Sequence, residues 1–78
     1  MQLSNFIKGL LILQPYYHNG DGFHIGAEHD EFYAYQTDLP LTPDDVKTMV
    51  ELGWFQIFGG AGHCDGEYIP ENGWSAYV

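Results

Sequence analysis

Residues 23–37, FHIGAEHDEFYAYQT, contain two strand-like runs that meet at the polar pair His29-Asp30. Side chains alternate between two faces along a strand, so each run can bury one face and expose the other. The predicted inward-facing residues are Ile25, Ala27, Phe32 and Ala34. Tyr33 and Tyr35 then stand on the opposite face, where tyrosines are suited to binding a partner. The segment predicts a β-hairpin.

A helix is predicted before this hairpin, in the segment LSNFIKGLLILQP. Its apolar residues recur at helical spacing. Pro15 disfavours the α conformation at Gln14, so the helix should end near Leu13. Gly9 inside it costs about 1 kcal/mol relative to alanine. Either packing holds the helix or another backbone approaches it at Gly9.

The strongest local signal is the start of a second helix in the segment LTPDDV. Thr42 is a suitable N-cap, and Pro43 suits the first helical position. Asp44 and Asp45 complement the positive end of the helix dipole. Gly53 is placed to end this helix in the left-handed conformation. The pattern predicts both ends of the helix.

The remainder of the chain predicts two further strands. Residues 54–58, WFQIF, have strand composition and follow the second helix directly. Residues 74–78, WSAYV, follow an Asn-Gly turn and read as a terminal strand. Between them lies a glycine-rich loop at residues 59–66, and residues 67–69 can pair briefly with a neighbour.

Size and element order together predict one α+β domain. At 78 residues the chain has material for a single core, so the domain is residues 1–78. The order of elements is α-β-β-α-β-β. Two helices packed on one face of a small antiparallel sheet would bury their apolar stripes in the usual two-layer arrangement.

Charge is strongly negative, with eleven Asp and Glu against two lysines and a net charge of −9. All the acids follow residue 20. Direct binding to DNA or RNA is disfavoured, because phosphate contacts depend on Lys and Arg. A basic protein or nucleoprotein complex is the favoured partner.

The number of cysteines and the length of the apolar run indicate the cellular compartment. The single cysteine, Cys64, excludes an internal disulfide framework of the kind that small secreted domains use. The apolar run at residues 6–13 is too short to span a bilayer and lacks the features of a signal peptide. We predict a cytoplasmic protein without membrane contact.

No residue set predicts catalysis, and no cofactor is expected. A metal site formed by His24, Glu28 and His29 is disfavoured, because His24 and Glu28 share a strand face but His29 does not. His63 and Cys64 are adjacent in a glycine loop, which rarely holds the geometry of a nucleophile and its base. We therefore predict that the protein is not an enzyme.

The acids and the hairpin tyrosines predict a binding surface for a basic partner. Acidic side chains in this arrangement could present a field similar to a nucleic-acid backbone, with tyrosines as anchors. The predicted partner-binding residues are Glu28, Asp30, Glu31, Tyr33, Tyr35, Asp38, Asp44 and Asp45.

Two alternatives to this surface remain open. One is a small metal-binding module, whose candidate ligands are His24, His29, His63 and Cys64. The other is a homodimer through the edge of the terminal strand at residues 74–78, which has little charge to block pairing.

The stretches IGAEHDEFYAYQTD, LTPDDVKTMVELGWFQ and ENGWSAYV resemble a set of short uncharacterised proteins encoded by phages, prophages and other mobile elements of bacteria. That set has no assigned catalytic residues, so the resemblance carries over no site. In size and charge the chain is also similar to anti-CRISPR proteins and other DNA-mimicking inhibitors, which bind host nucleases or their guide complexes. The resemblance implies an inhibitor of a basic nucleic-acid-handling protein in a bacterial host.

Overall fold

The computed structural model describes residues 1–18, 25–63 and 66–78, without the side chain of Phe58. Over these residues the helices are α1 (Leu3–Leu13) and α2 (Pro43–Glu51), and the strands are β1 (Ile25–Glu28), β2 (Glu31–Ala34), β3 (Phe55–Gln56) and β4 (Trp74–Tyr77). Short 3-10 turns occupy Gln14–Tyr16 and Ile57–Gly59. The α+β class and the order α-β-β-α-β-β are confirmed. No helix in these ranges has the length and apolar character needed to cross a membrane.

The four strands form one antiparallel sheet in the order β1-β2-β4-β3. The predicted hairpin is confirmed, with Glu28 at the end of β1 opposite Glu31 at the start of β2. The chain reverses at His29 and Asp30, and His29 has a φ of 53°, in the left-handed region. Residues 23 and 24, where the predicted hairpin begins, lie outside the described residues.

One face of the sheet forms the core together with both helices. The buried core side chains are Leu13, Ala34, Leu41, Met49, Trp54, Ala61, Trp74 and Ala76. Phe6 of α1 stacks on Trp54 with ring centroids 5.7 Å apart and meets Phe32 edge to face at 4.9 Å. The predicted inward set of the hairpin is correct in β2. The prediction that Ile25 and Ala27 of β1 are buried is wrong, since Ile25 is 58% exposed and Ala27 is also exposed. The reason is that β1 is an edge strand whose inward side is left uncovered.

Gly9 marks the closest approach of α1 to the core. A Cβ built on Gly9 would overlap the indole ring of Trp54, so only glycine fits this position without movement. The Trp54 indole N–H also donates to the carbonyl oxygen of Asn5 at 3.4 Å. Of the two explanations left open by the sequence, packing is the correct one, and the approaching group is a side chain rather than a backbone.

Helix α2 begins and ends as predicted. Thr42 Oγ1 accepts a hydrogen bond from the Asp45 backbone N–H at 3.2 Å, and Pro43 is the first helical residue. Gly53 has a φ of 99°, which is the left-handed conformation expected of a glycine just after a helix. Met49 is fully buried and joins the helix to the core.

The second half of the sheet differs from the prediction. The strand predicted at residues 54–58 is paired only over Phe55–Gln56, and residues 67–69 belong to no strand. Strand β4 lies between β2 and β3: β2 pairs along Trp74–Tyr77, and β3 pairs with Trp74 and Ser75. The terminal strand is therefore an inner strand rather than the exposed edge on which the homodimer was predicted, and dimerisation itself stays a prediction.

Gln56 is the physical reason why the loop between β3 and β4 needs no further strand. Its side chain is completely buried. Its Nε2 donates to the carbonyl oxygens of Ile69 at 2.6 Å and Asn72 at 3.3 Å. Its Oε1 accepts from the backbone N–H groups of Ala61 at 3.0 Å and Ile69 at 2.8 Å. One amide thus satisfies four backbone groups that would otherwise need strand partners or water.

Replacing Gly9 by alanine should destabilise the protein, although alanine is the better helix former. The added Cβ has no room beside Trp54, so we expect a loss of about 1–3 kcal/mol in the free energy of unfolding. Helix propensity alone predicts a gain of about 1 kcal/mol. Urea unfolding followed by tryptophan fluorescence measures the difference. Lys8→Ala, at an exposed position of the same helix, is the control and should change stability by less than about 0.5 kcal/mol. A Gly9→Ala variant more stable than the wild type would contradict the close packing.

Replacing Gln56 by leucine should cost about 2–4 kcal/mol, because four buried or part-buried backbone groups lose their partner while the side-chain volume is nearly kept. The urea midpoint measures the loss, and amide hydrogen exchange at Ala61 and Ile69 locates it. Gln36→Leu, an exposed position, is the matched control and should leave both measurements near wild type. Unchanged exchange at Ala61 in the Gln56→Leu variant would show that the amide does not hold the loop.

Candidate functional site

The sheet face opposite the core is the candidate site. We call it the outer face, and it comprises Gly26, Glu28, Glu31, Tyr33, Phe55, Ser75 and Tyr77, together with Tyr35 just after β2. The strand register arranges these residues in rows across the sheet: Gly26, Tyr33, Ser75 and Phe55 in one row, and Glu28, Glu31 and Tyr77 in the next. The buried residues of α1 and α2 pack on the other side of the sheet, so neither helix covers the outer face.

Aromatic rings make up much of the outer face. The rings of Tyr33 and Tyr35 have centroids 5.6 Å apart, and those of Phe55 and Tyr77 are 5.0 Å apart. A Cβ built on Gly26 would overlap the Tyr33 ring, which therefore lies across the β1 backbone. Tyr35 is 50% exposed and Tyr77 is 61% exposed. These rings can contact a partner directly, because no other part of the protein has to move to expose them.

Carboxylates form the acidic part of the outer face. Glu28 and Glu31 occupy directly paired positions, where side chains begin about 5 Å apart. Ser75 Oγ donates to Glu31 Oε1 at 3.4 Å. Asp30 in the turn lines the same hollow as both glutamates, which has a volume of about 320 Å³. Like charges opposite each other destabilise a strand pair, so a bound cation would relieve a repulsion that the hairpin otherwise carries.

A larger groove of about 540 Å³ combines both chemistries. Its lining includes the acids Glu28, Glu31 and Glu71 and the rings of Tyr33 and Tyr35. Carboxylates and aromatic faces both attract cations. The groove is therefore suited to positively charged groups that also have apolar surface.

The local environment raises the pKa of the Tyr33 phenol above its ordinary value. The neighbouring Tyr35 phenol is the largest cause, followed by burial and a hydrogen bond with Tyr35, and then by the charges of Glu28 and Glu31. A phenolate would add negative charge beside these carboxylates, so the neutral form is favoured. Tyr33 thus remains a neutral hydrogen-bond donor next to the acids.

The structure divides the eight predicted binding residues into two groups. Five of them lie together around the hairpin: Glu28, Asp30, Glu31, Tyr33 and Tyr35. Asp44 and Asp45 instead open α2, in the helical layer. The Asp45 carboxylate accepts a hydrogen bond from the Tyr16 hydroxyl, and the Asp38 carboxylate accepts from the His18 backbone N–H at 2.7 Å. Asp38 and Asp45 are thus engaged in contacts that support the adjoining loop and the helix start, and Asp44 lies in the first turn of α2.

The described histidines are not arranged as metal ligands. His63 Nε2 lies 2.6 Å from the Gln56 carbonyl oxygen, and since a carbonyl only accepts, this nitrogen carries the proton. The His63 ring also packs edge to face on Phe55. Among the described residues, no three or more His, Cys, Asp or Glu could together hold a metal ion. His24 and Cys64 lie outside those residues, so metal binding through them stays a prediction.

Phe55, Ser75 and Tyr77 belong to the outer face but were not among the predicted binding residues. Strand alternation could have identified Ser75 and Tyr77, because Trp74 and Ala76 beside them are apolar and buried. Phe55 had no such signal, since β3 is only two residues long.

Alkaline pH should destabilise the protein through Tyr17. Its hydroxyl donates to the Tyr35 carbonyl oxygen at 2.6 Å, and burial, reinforced by the charge of Asp38, raises the pKa of Tyr17 from 10.0 to about 12. Between these values the folded state keeps the proton that the unfolded chain has lost. The stability from this linkage is fully present below pH 10 and is lost as the pH rises toward 12.

Urea midpoints measured at several pH values between about 9 and 11 test this linkage. The Tyr17→Phe variant should show a weaker fall in stability than the wild type over this range. Tyr77→Phe, at a largely exposed position, should follow the wild type. The linkage is wrong if the Tyr17→Phe variant loses stability as steeply as the wild type.

Comparison with known proteins adds no assigned site. No protein-family model matches the chain, no curated protein matches it, and no solved structure matches it. The chemistry of the outer face is therefore the basis for a functional proposal.

Proposed function

We propose that this protein is a small acidic binding protein that uses its outer face to block a basic, nucleic-acid-handling protein of a bacterial host. The observation that supports this most directly is the grouping of Glu28, Asp30 and Glu31 with Tyr33 and Tyr35 on a sheet face that neither helix covers. The proposal requires no catalytic step and no cofactor.

The carboxylates of this face have no lysine or arginine on the same face, and the only described histidine that lines their hollow is His29 of the turn. The chain contains two Lys and Arg in total, and these are Lys8 in α1 and Lys47 in α2. Both helices belong to the layer on the opposite side of the sheet. A basic partner would therefore meet acids that are not neutralised within the chain, and charge would steer its approach.

The aromatic rings supply what the carboxylates lack. Interfacial charges increase the association rate and select partners, but the largest contributions to affinity come from a few buried anchors, often Tyr, Trp or Arg. Tyr35 and Tyr77 are at least half exposed; Tyr77 lies in the same row as Glu28 and Glu31, and Tyr35 follows the end of β2. Binding would bury these rings and exclude water from the neighbouring charges.

A nucleic-acid-handling protein fits this surface better than other basic partners. Such proteins hold a row of phosphates in a basic groove, and a row of carboxylates can occupy the same groove. The resemblance to short phage and prophage proteins, and the similarity in size and charge to anti-CRISPR inhibitors, favour a target in the bacterial cytoplasm.

Displacement of labelled duplex DNA from a panel of purified guide-RNA-loaded CRISPR nucleases and restriction nucleases tests this function. The protein should displace DNA from at least one of them, with an affinity that weakens as salt is raised, because exposed charges are screened. Neutralising the acids of the outer face in the variant Glu28→Gln, Asp30→Asn, Glu31→Gln should weaken the effect at least about tenfold.

A variant with the same change in net charge elsewhere is the control. Asp44→Asn, Glu51→Gln and Glu67→Gln together remove three exposed charges away from the hairpin, and should weaken displacement less than about threefold. Equal losses in the two variants would mean that net charge, rather than the outer face, causes binding. If the protein displaces DNA from none of the nucleases in the panel, the proposed function is rejected.

A further inference from the structure

We propose that the groove of the outer face seats an arginine side chain of the partner, with Glu28 and Glu31 binding the guanidinium and Tyr33 and Tyr35 forming its aromatic wall. This inference rests on the proposed function and adds to it the chemical group that is recognised. It predicts selectivity between arginine and lysine, which a general acidic surface would not show.

The carboxylates favour a planar, forked cation. A guanidinium presents five N–H donors in one plane, whereas an ammonium is a compact point charge. Glu28 and Glu31 are cross-strand partners, and both line this groove, so one cation in it can reach a carboxylate from each strand. The Ser75 hydroxyl donates to Glu31 and restricts the rotation of its carboxylate. One guanidinium can engage both acids, and in doing so it offsets their mutual repulsion.

The tyrosine rings favour the same cation. Guanidinium groups stack on aromatic faces, and the attraction is significant within about 6 Å of a ring centroid. Tyr33 is held across Gly26, so one side of its ring is backed by the β1 backbone. The Tyr35 ring is tilted by 43° to it at 5.6 Å, and the two rings form adjacent walls. The aliphatic part of an arginine would pack on these walls with its charge at the carboxylates.

Charge complementarity extends beyond a single residue. Glu71 lines the same groove as Glu28 and Glu31, and the chain places its two lysines in the helices of the opposite layer. A segment that carries more than one arginine therefore finds acids along the length of the groove. This is the kind of segment that contacts phosphates in nucleic-acid-binding proteins.

Hexa-arginine and hexa-lysine peptides, which carry equal charge, test the inference when their binding is measured by fluorescence anisotropy at about 150 mM salt. The wild type should bind the arginine peptide at least about fivefold more tightly. Tyr35→Ala and Tyr33→Leu should each bring this ratio close to one, and the leucine keeps an apolar cover over Gly26. Leu11→Ala is the control, because Leu11 is an exposed apolar side chain of α1, in the layer on the opposite side of the sheet, and it should keep the arginine preference.

A second measurement uses the unaltered protein, so it does not depend on whether a variant folds. In proton NMR, the ring signals of Tyr33 and Tyr35 should shift on addition of the arginine peptide, and those of Tyr68, on the core side, should not. Shifts confined to other rings would overturn the inference, as would an arginine preference that survives in both tyrosine variants.

The two proposals fail in different ways. Equal affinity for both peptides, lost in the Glu28→Gln, Glu31→Gln variant, overturns the arginine seat and leaves the acidic binding function standing. Absence of binding to either peptide, together with absence of DNA displacement from the nuclease panel, overturns both.

Discussion

The buried side-chain amide of Gln56 holds together the described residues between β3 and β4, which form a 3-10 turn and no strand. Its four hydrogen bonds reach Ala61 within the glycine-rich loop and Ile69 and Asn72 after it, and they are made by a fully buried side chain, whose polar atoms would be costly to leave unpaired. The backbone of Gln56 also pairs opposite Trp74 and accepts a hydrogen bond from His63. Because Phe55 precedes it in the same strand, this one position also fixes a ring of the outer face.

The two-layer arrangement explains why a binding face is available in so small a domain. Alternation along β4 sends Trp74 and Ala76 into the core and Ser75 and Tyr77 to the other side. Both helices pack against the first side, so the second is not needed for the core and can carry charge. Opposed acids weaken the sheet by a modest amount, about 0.2–1 kcal/mol for a cross-strand pair, which burial on the core side can offset.

Signals between neighbours in sequence were predictable, and contacts between distant segments were not. The Thr42 cap, the end of α2 at Gly53 and the hairpin follow from adjacent residues and match the structure. The place of β4 inside the sheet depends on long-range pairing, which no local pattern encodes. As a polar residue in a strand-like run, Gln56 gives no sign of being buried. Its burial depends on hydrogen-bond partners 5 to 16 positions away in the sequence. The hairpin part of the candidate site was predictable through strand alternation. The contact of the Asp45 carboxylate with Tyr16, which lies 29 positions away, was not.

The position of β4 between β2 and β3 sets the order in which this fold can form. The hairpin and β3 share no strand pairing until residues 74–77 insert between them. Pairs such as Tyr33 with Ser75 close a loop of about forty residues, and the entropy of that closure must be met before the contacts form. During synthesis the sheet cannot assemble until residues 74–77 have left the ribosome. Both rows of the outer face cross β4, so that surface exists only in the completed fold, and a shorter fragment would present the acids without the arrangement that relates them.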